Sequence, residues 1–253
     1  MNFVDTHCHL NFPPLAENLP AVLQRARRRG VNQVVVPAYD RASWDPIIDI
    51  STRHEKIYPA LGQHPWAAEE GIDFAELEAY LKKSDAVAVG EIGLDFKVVS
   101  VSRERQIETL NRQLEMAVHL DLPVLLHCRG AFLELLSIID GYGGALRGVV
   151  HAFSRAPDLA TLFADRNMHV AFGGTITRKG AKRARNSAKI VPSNRLLLET
   201  DAPSIGLDGV EPEQVEPHHV ADIASVLAEL RGETVEQVSR STSENARELF
   251  QLD

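Results

Sequence analysis

Eight short apolar runs, each followed by a stretch with helical spacing, constrain this chain more than any other feature. The runs are Phe3–Leu10, Val31–Pro37, Ile57–Gly62, Ala86–Gly93, Pro123–His127, Gly148–His151, Met168–Phe172 and Arg195–Thr200. Helical spacing covers residues 15–29, 43–54, 74–83, 103–120, 131–139, 159–165 and 179–189 between them. Two more helices, over 218–230 and 235–250, close the chain. Near-continuous apolar strands belong to a parallel sheet covered on both faces. Their alternation with helices predicts right-handed crossovers. Eight such units in 253 residues match a (β/α)8 TIM barrel with extra C-terminal helices, in the α/β class. A doubly wound open sheet is the alternative, but no G-x-G-x-x-G follows the first strand and no Gly-rich lysine loop is present. No repeat, low-complexity tract or linker divides the chain, so a single domain over 1–253 is expected.

Composition narrows the function classes. With 44% hydrophobic and 25% charged residues the chain is ordinary for a globular protein. No run approaches the roughly 20 apolar residues of a membrane helix. The first residues lack the basic-then-apolar order of a secretory signal. Two cysteines, each beside a histidine, make no disulfide framework. A cytoplasmic protein without a membrane partner is the expectation. A net charge of −8 argues against a broad duplex-binding surface, where counterion release rewards basic proteins. It leaves room for an enzyme that takes a strand end into a metal-lined pocket, where the metal supplies the positive charge. The basic clusters Arg25–Arg29 and Arg178–Lys189 read as exposed helix faces.

The unusual polar residues fall at strand ends. His7 and His9 are two apart, so on a strand they project to one face and could share a divalent cation. Alone, the pair is equally compatible with histidines satisfied by the backbone. However, His64 follows the third run, and Glu91, His127, His151 and Asp201 end the fourth, fifth, sixth and eighth. In a barrel all of these open on the C-terminal face, where the chemistry is done. So many buried imidazoles and carboxylates would be costly without a cation. Imidazole with carboxylate suits zinc, manganese, iron or cobalt, whereas magnesium prefers oxygen. Four histidines and two acids exceed one tetrahedral ion with an open position. They suit two divalent ions (Mg, Mn or Zn) with a bridging carboxylate and a bridging hydroxide. Glu91 is the natural bridge, and Asp201 is placed to hold one ion and orient the attacking water.

Taken in order, the motifs Asp5-Thr6-His7-Cys8-His9, Gly90-Glu91-Ile92-Gly93-Leu94-Asp95, His127-Cys128-Arg129, His151-Ala152-Phe153-Ser154 and Leu198-Glu199-Thr200-Asp201-Ala202-Pro203 resemble the TatD family of metal-dependent deoxyribonucleases. That family belongs to the amidohydrolase-like hydrolases, and the likeness runs along nearly the whole chain. It implies a TIM barrel that hydrolyses DNA phosphodiesters from the 3′ end with divalent metal. By motif position it implies that His7, His9, Glu91 and Asp201 hold one ion, and Glu91, His127 and His151 the other. Where many amidohydrolases carry a bridging lysine on strand four, this chain has Glu91.

The remaining polar residues carry finer expectations. Arg129 shares parity with His127 and could grip a phosphate or form a structural ion pair. Asp95 could bind substrate or cap a turn. His64 is expected to contact substrate phosphate or protonate the leaving group. Asp5 and Glu199 are expected to hydrogen-bond imidazoles, unless Glu199 binds metal itself. Cys8 and Cys128 face away from the ligands and read as packing, and His54, His119, His169, His218 and His219 as structural. Between Gly209 and Pro217 the chain lacks the basic residue and asparagine common in relatives. It carries Glu211, Glu213 and Glu216 there instead, which would repel a long polyanion. An amidohydrolase or esterase acting on a small cyclic amide, lactone or aminoacyl ester is the alternative activity, because the same metals serve either centre. A non-catalytic metal-binding scaffold would show broken ligands, and none is missing.

Overall fold

The computed structural model describes residues 1–253. Its strands are β1 (Phe3–Asp5), β2 (Val31–Pro37), β3 (Ile57–Leu61), β4 (Ala88–Asp95), β5 (Val124–Arg129), β6 (Gly148–Val150), β7 (Met168–Phe172) and β8 (Leu196–Leu198). Each pairs in parallel with the next, in sequence order. The ring closes between β8 and β1: Thr6 N donates to Leu198 O at 3.1 Å, Asp201 N to His7 O at 2.8 Å and His9 N to Ala202 O at 2.8 Å. The expected TIM barrel is therefore the fold, and the open-sheet alternative falls on this closure.

The helices are α1 (Leu19–Arg28), α2 (Arg41–Arg53), α3 (Phe74–Lys83), α4 (Arg103–Leu120), α5 (Phe132–Gly141), α6 (Pro157–Ala164), α7 (Lys182–Ile190), α8 (Val220–Arg231) and α9 (Val235–Phe250). Local chemistry sets their starts. Asp40 caps α2 by accepting from Ser43 N, and Thr234 and Gln237 form a reciprocal capping box on α9. The first helix begins later than its periodicity predicts: Ala16–Asn18 is a 3-10 turn and Pro20 occupies the first turn of α1. None of the helices is long and apolar enough to cross a membrane.

Two apolar layers hold the barrel. The outer layer packs alternate strand residues, such as Val34, Leu61, Leu126 and Phe172, against the helices. The inner layer takes one residue from every strand: Val4, Val35, Ala60, Ala88, Leu125, Val149, Ala171 and Leu197. Leu249, Phe250 and Leu252, from the end of α9 and the residues after it, join this inner layer. Phe250 is 2% exposed. Its replacement by alanine is expected to cost about 3–5 kcal/mol, read by urea denaturation. A variant with an unchanged midpoint would show that α9 does not plug the barrel.

One irregularity decides where the chemistry sits. Ala88 faces inward and Val89 outward, so strict alternation would turn Glu91 outward. The β4–β5 register shifts between Gly90 and Ile92, and this bulge reverses the parity. Beyond it Ile92 and Leu94 pack in the outer layer. Glu91 thereby points into the barrel mouth.

Candidate metal centre

The centre is built around the two oxygens of Glu91. His7 and His9 lie just past β1, where the strand has ended, so strand parity does not aim them as the spacing suggested. Instead Cys8 bridges Ala202 and anchors the segment to the turn after β8. Asp201 has φ of 54°, a left-handed conformation that costs energy for a non-glycine residue and is characteristic of functional sites. That turn brings its carboxylate back toward β1.

The first group of donor atoms faces Glu91 Oε2. His7 Nε2 and His9 Nε2 stand 3.2 Å apart. His7 Nε2 is 3.3 Å from Glu91 Oε2 and 3.7 Å from Asp201 Oδ1. His9 Nε2 is 3.7 Å and 3.6 Å from the same two oxygens. The edges of a tetrahedron with metal–ligand bonds of about 2.1 Å are about 3.4 Å long, so this group fits one cation. The second group faces Glu91 Oε1, with His151 Nε2 at 2.7 Å, His127 Nδ1 at 3.0 Å and His64 Nε2 at 3.4 Å. His127 Nδ1 and His151 Nε2 are 3.3 Å apart. His7–His9–Asp201 and His64–Glu91–His127 each form a cluster able to hold a metal ion, and a third, His7–Glu91–His151, links them. All six sequence-predicted ligands come together here, and His64 joins them as a seventh donor.

Burial and charge set the protonation states without metal. Burial alone would raise the Glu91 pKa, but His151, His64 and His7 outweigh it and hold the carboxyl well below its usual range. Burial also opposes the Asp201 anion, yet His9, His7 and His151 keep its pKa low. Burial pushes His64 down to about 4 and lowers His7, which favours the neutral imidazole on both. His64 Nδ1 accepts from Trp66 N at 3.2 Å, so its remaining proton sits on Nε2. Burial likewise opposes charge on His151 and His127, but Glu91 with Glu199 raises the first, and Asp95 with Glu91 the second. A cation entering would displace those protons, as metal binding to imidazole requires.

The supporting residues divide. Asp5 does not reach an imidazole: its oxygens accept from Thr200 N at 2.9 Å and Thr200 Oγ1 at 2.6 Å, and burial pushes its carboxyl up to about 8. It locks the β8 turn onto β1. Glu199 Oε1 accepts from Ala152 N, and His151 Nδ1 lies 3.7 Å away, beyond a hydrogen bond. Glu199 Oε2 and the Nδ1 atoms of His7, His9 and His151 are buried without a partner. Asp95 is buried and accepts from Trp66 Nε1 at 2.7 Å, Lys97 N at 2.9 Å and Arg129 Nε at 2.9 Å. Cys8 and Cys128 are free thiols whose pKa values burial raises. Of the three loop glutamates, Glu216 turns away from solvent to bind Arg25 in a bidentate pair, both contacts at 2.7 Å. That pair neutralises one of the charges expected to repel a polyanion. Sequence reasoning missed Trp66, Phe12 and Tyr39 around the mouth. The signal for Trp66 was its place in His64-Pro65-Trp66, directly after a barrel strand.

Residues 4–251 match the profile of the family described as TatD related DNase. The chain belongs to that family. It is 36% identical over 254 residues to the Escherichia coli K12 protein named uncharacterized metal-dependent hydrolase YjjV, covering 99% of this chain and 98% of that one. The crystal structure of YjjV superimposes with a TM-score of 0.95 at 35% identity, over 99% and 98% of the two chains. The human protein named deoxyribonuclease TATDN3 is 30% identical over 267 residues, 99% of this chain and 95% of that protein. The Erwinia billingiae protein named 3′-5′ ssDNA/RNA exonuclease TatD is 31% identical over 258 residues, 98% of each. This TatD-family chain is a metal-dependent hydrolase, as the expected resemblance implied.

Proposed function

We propose that the protein is a divalent-metal-dependent 3′–5′ exodeoxyribonuclease that cleaves DNA phosphodiester bonds. The observation that carries this reading is the division of donors about Glu91, with one group on each carboxylate oxygen. The names of the human and Erwinia relatives support the DNA substrate, and the latter the direction. His7, His9, Asp201 and Glu91 would hold one ion, and Glu91, His127 and His151 the other. Two such ions supply an activated water and positive charge against the phosphate oxygens. The protein does the rest. Asp201 would orient the attacking water, take its proton as the P–O bond to the leaving oxygen breaks, and return that proton to the leaving oxygen. His64, neutral at pH 7 because burial lowers its pKa to about 4, donates a hydrogen bond to a phosphate oxygen. Arg129 spends only Nε on Asp95, which leaves its Nη groups free to grip a phosphate. Asp95, fully bonded and buried, orients Arg129 and Trp66 and is a positioning residue.

Single-stranded DNA labelled at either end, incubated with Mg²⁺, Mn²⁺ or Zn²⁺, tests this reading. Mononucleotides should leave the 3′ end, and a chelator should stop their release. No release with any metal, together with hydrolysis of a lactone, cyclic amide or aminoacyl ester, would replace the nuclease with an acyl hydrolase.

A further inference from the structure

Three aromatic side chains stand against histidines of the metal centre. Phe12 lies parallel to His9 at 4.8 Å between ring centroids, and Tyr39 lies against His64 at 5.3 Å. Trp66 meets His64 edge-on at 5.1 Å and His127 at 6.3 Å. Trp66 differs from the other two in its exposure: 43% of its surface stays open although its Nε1 is tied to the buried Asp95. Exposed indole is costly to hold in water, and here it is held rigidly, on the same carboxylate that orients Arg129. The Arg129 guanidinium sits 5.6 Å from the indole centroid and its side chain is 54% exposed. One buried acid therefore fixes an open aromatic ring and an open cation next to the donor atoms. Stacking surface plus cation is how unpaired nucleotides are held without sequence preference.

We propose that Trp66 is the specificity residue that stacks the base of the unpaired terminal nucleotide while Arg129 takes its phosphate. The inference rests on the nuclease reading and sharpens it: the preferred substrate is a frayed or single-stranded end that presents a free base. A small cyclic amide or lactone would leave this surface unused.

The molecule carries its own reporter. Of its two tryptophans, Trp44 is fully buried and Trp66 is exposed, so quenching of indole fluorescence by a stacked base reads Trp66. Titrate the metal-loaded protein with a hydrolysis-resistant phosphorothioate oligothymidylate, and with the same strand lacking its 3′-terminal base, reading affinity by calorimetry and stacking by indole emission. The intact strand should quench, and the abasic strand should bind about tenfold more weakly without quenching. Trp66→Ala should weaken the intact strand by a similar factor and abolish discrimination, while Trp66→Phe restores most of it. Equal affinity and equal quenching for both strands would overturn the stacking role and leave the nuclease reading intact. Failure of both strands to bind would remove the nuclease reading and this inference together.

Discussion

Glu91→Gln is expected to leave a folded protein with less than one bound metal per chain and a hydrolysis rate reduced by at least about a thousand-fold. The side chain keeps its volume, so packing is not the cause. What disappears is the anion that faces both donor groups, with His7 3.3 Å from one oxygen and His151 2.7 Å from the other. The first group keeps Asp201 as its acid, the second is left with imidazoles alone, and the charges that lower the Glu91 pKa lose their counterpart. The measurement is elemental analysis of the purified variant beside its initial rate on single-stranded DNA. A variant that keeps two ions and runs within tenfold of the parent would show that Glu91 bridges nothing.

Gly93→Ala is expected to destabilise the protein by about 3 kcal/mol or more, a large share of a typical folding free energy. Gly93 has φ of 147°, and a Cβ there would stand 2.0 Å from His127 O and 2.9 Å from His127 N. The obstacle is backbone, not a side chain that can rotate away. Gly93 pairs with His127 across β4 and β5, so relief would separate those strands and displace a candidate ligand. Urea denaturation gives the stability, and metal content gives the effect on the centre. Gly141→Ala is the control, because a Cβ there meets nothing within 4 Å. It should change stability by no more than about 0.5 kcal/mol. If both substitutions are equally mild, the tight β4–β5 contact does not exist.

The alternation of apolar runs with helical spacing determined the barrel, because each strand and helix reports its own burial through local periodicity. The same walk placed the chemistry at strand ends, since a parallel barrel sends every such end to one face. Parity on β5 was also legible: His127 and Arg129 share a face and Cys128 packs outward. Three things were decided only by tertiary structure. The bulge at Gly90–Ile92 turns Glu91 inward, and a register shift between strands leaves no mark in hydrophobic periodicity. The pairing of His7 and His9 comes from a segment past β1, anchored through Cys8 to Ala202, nearly two hundred residues away. Asp5, which shares spacing with those histidines, instead binds Thr200 across the closing seam. Residue types and their order are local properties and can be read along the chain. Which oxygen faces which imidazole depends on how the last strand meets the first, and that contact forms only when the ring closes.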